Sequence, residues 1–179
     1  MEPNVAIESV LDALREVVRT FAGPGESHAL VVRQGLIDEV WVTLPARCIR
    51  PAVEVMVQEL GIWHLSTITA ADLWSADKGA ADGRPAERKP AGIEVIYHFW
   101  LGRGLSLRCT LPYEDPHLAS VSDLIPGASF YEREVAEMLG VTYQPAIDDG
   151  NPDPGWFLLP DDWEGGAPMR HDYEPGPGV

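Results

Sequence analysis

Residues 127–143, GASFYEREVAEMLGVTY, gather Glu132, Arg133, Glu134 and Glu137 within about one and a half helical turns. Paired carboxylates at such spacing suit general acid–base work when a pocket holds them and one acid is perturbed. A sequence exposes neither condition, and the same charges have structural explanations. Ser129 precedes Glu132 by the spacing of a capping box. Arg133 and Glu137 stand at the i,i+4 spacing of a helical ion pair. Tyr131, Val135, Met138 and Leu139 share one helical face, while Arg133, Glu134 and Glu137 share another. The stretch therefore reads as an amphipathic helix ending at Gly140, and catalysis is not expected of it.

Other chemistry is sparse. The histidines, at His28, His64, His98, His117 and His171, are dispersed, and His98 sits in an apolar strand as a satisfied sheet residue rather than a ligand. No serine elbow, GxGxxG turn, phosphate loop or HExxH helix is present. Cys48 and Cys109 are the only cysteines, without a CxxC or a histidine at ligand spacing. Structural zinc and iron–sulfur sites need four convergent ligands, so no metal or cofactor is expected in this chain, and both thiols read as core or near-surface groups.

Acidic side chains outnumber basic ones 28 to 13, a formal charge of −15 that repels phosphate backbones and anionic lipid alike. A nucleic-acid module is the weakest functional class on that ground. At 179 residues and 45% apolar content the chain has material for one domain with a real core. No apolar run is long enough to span a bilayer, and MEPNVAIESV lacks the basic and apolar regions of a signal peptide. The expectation is a cytoplasmic protein that meets a membrane only through other subunits.

The elements that position the charged stretch follow from periodicity. Residues 5–21 carry a helical stripe with Asn4 as a possible cap, stopped by GPGE. HALVVRQGLIDEVWVTL reads as two strands around a turn near Gln34–Gly35. Residues 47–60 form a second helix with Pro51 in its first turn. WHLSTITAADLW is a strand, residues 75–91 read as a mobile loop, and GIEVIYHFWL with GLSLRCTLP forms a hairpin around Gly102–Arg103–Gly104. The expected fold is α+β: a mostly antiparallel sheet with helices packed on one side, followed by an extended C-terminal tail. Residues 1–143 make the domain and 144–179 the tail.

That tail is rich in proline, glycine and acid, yet Trp156, Phe157, Leu158, Leu159 and Trp163 are too apolar for a free end. It needs a surface, either its own domain or a partner, and the partner is favoured. Arg170 suits a carboxylate across an interface, where its planar fork supplies geometry as well as charge.

Two segments resemble the 30 kDa subunit family of respiratory complex I, the NADH-quinone oxidoreductase, and its relatives in energy-converting membrane-bound hydrogenases. The first is Tyr131, Glu132, Arg133, Glu134, Glu137, Met138, Leu139 and Gly140; the second is LPDDWEGGAPMRHDY, residues 159–173. Departures are Glu137 for the usual Asp, QPAIDDGNPDPGWF in place of a basic run, and Met169 and His171 for Leu and Lys. The resemblance implies a scaffold subunit without catalytic groups or cofactor of its own, peripheral on the cytoplasmic side of the cell membrane. Its implied partners are the large hydrogenase-like subunit and a small iron–sulfur subunit, which hold iron–sulfur clusters and, in a hydrogenase, nickel and iron. Such a complex couples electron transfer to quinone with ion translocation. It also implies a partner interface formed by Glu132, Arg133, Glu134, Glu137, Trp163, Pro168, Arg170, Asp172 and Tyr173, with the tail wrapping over partners. The alternatives are the equivalent subunit of an energy-converting [NiFe]-hydrogenase and a small stand-alone carboxylate-dependent enzyme.

Overall fold

The computed structural model describes residues 6–26, 30–35, 39–76, 88–144 and 156–175. Three helices, α1 (Ile7–Phe21), α2 (Ala46–Gln58) and α3 (Ala128–Leu139), accompany a sheet ordered β1-β2-β5-β4-β3. Its strands are β1 (Val31–Gln34), β2 (Glu39–Thr43), β3 (Leu65–Ala76), β4 (Arg88–Trp100) and β5 (Gly104–Leu111). Every pairing in this sheet is antiparallel except β2 with β5, so the α+β expectation with a mostly antiparallel sheet holds.

Alternation puts Ile93, Val95, Tyr97 and Phe99 of β4 on the core face, all at most 2% exposed. Against them pack the apolar stripes of the helices, including Leu14 and Val18 of α1 and Ile49 and Met56 of α2. Fully burying a side chain of this size contributes about 1.5–3 kcal/mol each. The opposite face carries Trp41, Glu94, His98, Ser106 and Arg108, and no helix among the described residues covers it.

Three local expectations change. Helix α2 begins at Ala46, which puts Pro51 inside the helix rather than in its first turn; its missing N–H costs the helix one hydrogen bond. Strands β3 and β4 run to Ala76 and from Arg88, into both ends of the stretch read as a loop, because pairing of Trp74, Ser75 and Ala76 with Pro90, Lys89 and Arg88 continues the hairpin ladder. A second, parallel sheet of β6 (His117–Ala119) and β7 (Thr142–Gln144) was not expected, since both strands are three residues long and too short for a periodic signal. Asn4 and the remainder of the expected loop, 77–87, lie outside the described residues.

The β3–β4 ladder shifts register between Leu73 and Trp74, where Gly92 takes φ 135°. A Cβ there would stand 2.6 Å from the Leu111 carbonyl oxygen. Gly92→Ala is expected to destabilise the fold by about 1–3 kcal/mol, measured as a lower urea midpoint at unchanged slope.

Candidate functional site

Helix α3 stands at the edge of the sheet, tied to β3 by Tyr131, whose hydroxyl donates to the Ser66 carbonyl at 3.1 Å. Gly140 ends the helix at φ 72°, a left-handed conformation that glycine adopts without a Cβ penalty. The capping box does not form. Gly127 is the N-cap, and Ser129, already inside the helix, donates its hydroxyl to the Pro126 carbonyl at 2.9 Å.

Glu132 turns inward instead and is fully buried. Its carboxylate accepts from Ser120 Oγ at 2.6 Å and from the Val121 N–H at 2.8 Å. Arg50 reaches the same loop from α2, donating to the Ser120 carbonyl at 2.5 Å and forking onto both Asp123 oxygens at 2.7 and 2.8 Å. The Arg50 hydrogen bond holds the Asp123 carboxyl below its ordinary value. Burial raises the Glu132 pKa, against the opposing hydrogen bonds of Ser120 and Val121. Nearby, Tyr97 and Tyr143 are buried and pushed well above the usual phenol range, chiefly by desolvation.

The outward charges of α3 meet the chain's own tail. Glu137 accepts the successive backbone N–H groups of Phe157, Leu158 and Leu159, the latter two at 2.7 and 3.2 Å. Arg133 places its guanidinium 5.0 Å from the Phe157 ring centre, and Phe130 lies against the same ring. Further along, the Met169 N–H donates to the Met138 carbonyl at 2.9 Å. Arg170 lies 4.0 Å over the Tyr113 ring, donates to the Tyr113 carbonyl at 3.2 Å and forks onto Asp172 at 3.0 and 3.2 Å. That pairing lowers the Asp172 pKa and raises that of Arg170.

Asp72, its side chain 1% exposed, completes the attachment. One of its oxygens accepts from the His171 N–H at 2.8 Å and from the Tyr113 hydroxyl at 3.2 Å, with His171 Nδ1 at 3.1 Å. Trp163 and Tyr173 stack on one another, Pro168 is half-buried and Glu134 faces solvent. The described tail therefore lies on its own domain, the option that the composition had placed second to a partner surface. Polar side chains and backbone groups hold it down. Trp156, Phe157, Leu158 and Met169 remain 40%, 37%, 51% and 61% exposed.

The arrangement is a clasp. Glu132 is enclosed in hydrogen bonds and Glu137 is occupied by the tail, so the two carboxylates do not face a shared cavity. No group of three or more histidine, cysteine or acidic side chains among the described residues could hold a metal ion. An open cleft lined by Glu26, Arg47, Thr110, His117 and Gln144 involves none of these carboxylates. Sequence reasoning missed Arg50, Asp72, Tyr113 and Ser120. Only Asp72 left a signal: it shares the inward parity of Ile68 and Ala70, where an acid is out of place.

Residues 42–178 match the family described as respiratory-chain NADH dehydrogenase, 30 Kd subunit. The C subunit of NADH-quinone oxidoreductase from Salinispora arenicola is 31% identical over 173 residues, covering 94% of this chain and 62% of that protein. The C/D subunit from Rhodopseudomonas palustris is 35% identical over 104 residues, 56% of this chain and 17% of that one. The chain thus spans less than two thirds of the length of either relative. A chain of the membrane-bound sulfane sulfur reductase, an archaeal respiratory membrane complex, superposes with a TM-score of 0.59 at 19% identity, over 93% of this chain and 85% of the other. That likeness bears on the fold alone.

Three outcomes follow from the clasp. Glu132→Ala strands the Val121 N–H and leaves the Ser120 hydroxyl only its Ser122 neighbours, and is expected to cost about 1–3 kcal/mol. Because the folded pKa of Glu132 lies above its unfolded value, the folded state binds this proton more tightly. Its contribution to stability then falls as pH rises from the ordinary glutamate range through the raised value, and Glu132→Gln removes that slope in urea unfolding. Glu137→Ala should release the tail, seen as faster proteolysis near residues 156–159 while the domain stays folded.

Proposed function

The chain belongs to the respiratory-chain NADH dehydrogenase 30 kDa subunit family, and from that premise we propose that it is a non-catalytic scaffold in the hydrophilic arm of a complex I-like membrane oxidoreductase. It packs against the large hydrogenase-like subunit and beside the small iron–sulfur subunit, on the cytoplasmic side of the membrane. Redox centres belong to those partners, and the complex couples electron transfer to quinone with ion translocation. No helix among the described residues is long and apolar enough to cross a membrane, and attachment through partners is the proposed route.

The observation that carries this reading is the strapped tail. Polar clasps fix its backbone to α3 and β3, while Trp156, Phe157, Leu158 and Met169 point large apolar surface outward. Contiguous exposed apolar side chains on a strongly acidic chain mark an interaction surface, and aromatic anchors are the residue types that dominate such contacts. The Rhodopseudomonas palustris relative joins the C and D designations on one chain, which supports the large subunit as the neighbour. The acidic tail surface around Asp161, Asp162 and Glu164 calls for a basic rim on that partner.

The test is capture of the tagged chain from gently solubilised membranes, with mass spectrometry and metal analysis of what accompanies it. A hydrogenase-like large subunit and an iron–sulfur subunit are the expected companions; nickel among the metals would assign the complex to the hydrogenase type. Leu158→Asp, at a side chain exposed in the free chain, should leave the fold intact and cut incorporation at least about tenfold, the equivalent of roughly 1.4 kcal/mol of binding. Unchanged incorporation, or recovery of wild-type chain without companions, would overturn the scaffold reading.

A further inference from the structure

The sheet face turned away from the helices carries a polar chain that takes no part in the clasp. Its members come from four neighbouring strands: Thr69 on β3, His98 on β4, Ser106 on β5 and Glu39 on β2. Thr69 Oγ1 lies 2.9 Å from His98 Nε2, and Ser106 Oγ lies 3.0 Å from His98 Nδ1. Ser106 donates to Glu39 Oε1 at 3.3 Å. A hydroxyl has one proton, so toward the imidazole Ser106 only accepts. Nδ1 of a neutral His98 then bears the hydrogen, and Nε2 accepts from Thr69.

The ring is half-buried, with Trp41 of β2 edge-on at 5.9 Å between centroids. Among the described residues, the charged groups on this face near the ring include Glu39 of β2, Arg33 of β1 in register with Trp41, and the Glu94–Arg108 pair of β4 and β5 at 3.6 Å. Both hydroxyls still reach the ring after protonation, Thr69 by turning to accept. What protonation costs is hydration, because water reaches the ring only from the open side. Burial lowers the His98 pKa, and Glu39 opposes with a smaller upward pull.

We propose that Thr69, His98, Ser106 and Glu39 form one directional hydrogen-bond chain that staples four strands and fixes His98 as the Nδ1–H tautomer. The half-buried ring that the chain holds favours its neutral form, so its contribution to stability is fully present above the unfolded histidine range, near pH 6.5, and is lost as pH falls through the depressed folded pKa. Each unit between the two values is worth about tenfold in the folding constant.

The decisive measurement is nitrogen-resolved NMR of the imidazole in the full chain, from pH 8 down to 5. The expected result is a neutral Nδ1–H ring titrating below free histidine, and a still lower midpoint in Glu39→Gln, which removes the carboxylate that opposes burial. Urea unfolding should show an acid-side loss of stability in wild type that is shallower in His98→Gln, with the remaining histidines common to both. An Nε2–H tautomer, or a midpoint at or above that of free histidine, would overturn the proposal even if His98→Gln failed to fold.

Discussion

The buried carboxylate of Glu132 is the constraint on which the rest of α3 depends. A carboxylate taken out of water is costly unless its oxygens are hydrogen-bonded, and here both are: one by Ser120, the other by the Val121 N–H. Those partners lie on the loop that follows β6, so satisfying Glu132 fixes the helix to that loop. Arg50 holds the same loop from the other side through Ser120 and Asp123. With Glu132 committed inward, the helical period leaves Arg133 and Glu137 on the opposite side. The outward face is thus set by what the interior requires.

What that face does is unusual for a helix surface, because it binds backbone. Glu137 gathers three successive N–H groups of the tail, a charge-assisted arrangement stronger than neutral hydrogen bonds. Farther along the tail, Arg170 and Asp72 use Tyr113 as a common platform, one over its ring and carbonyl and the other at its hydroxyl. A strap held by polar groups leaves its apolar side chains unspent. Ordering an extended segment in advance removes part of the entropy that a partner would otherwise have to overcome. A tail already laid down on its domain is therefore compatible with a role in assembly, and makes the exposed Trp156–Leu158 surface a fixed feature rather than a transient one.

The two faces of the sheet show the same economy. Its inner face is apolar except at Asp72 and is closed by helices, while its outer face adds side-chain hydrogen bonds between strands. His98 fits that outer face as the satisfied sheet residue its position implied, with a partner on each ring nitrogen. Cys48 and Cys109 are both buried, and burial lifts the Cys109 thiol to about 12, far from the range of a reactive thiolate.

The sequence by itself determined the α+β class, the stripe of α1, the β4–β5 hairpin, the terminus of α3 at Gly140 and the two motifs that carry family membership. These are local: period, turn chemistry and spacing act over a few residues, and composition acts over the whole chain. Tertiary structure alone decided which way Glu132 points, since a carboxylate at capping-box spacing from Ser129 has a local use and a distant one, and the distant hydrogen bonds from Ser120 and Val121 prevail. It also decided where the tail lies, because its anchors Asp72 and Tyr113 are far away in the chain and nothing pairs them with the tail until the fold brings them beside His171 and Arg170. Side chains whose partners are remote in sequence leave at most a trace there, as Asp72 does on the inward parity of β3.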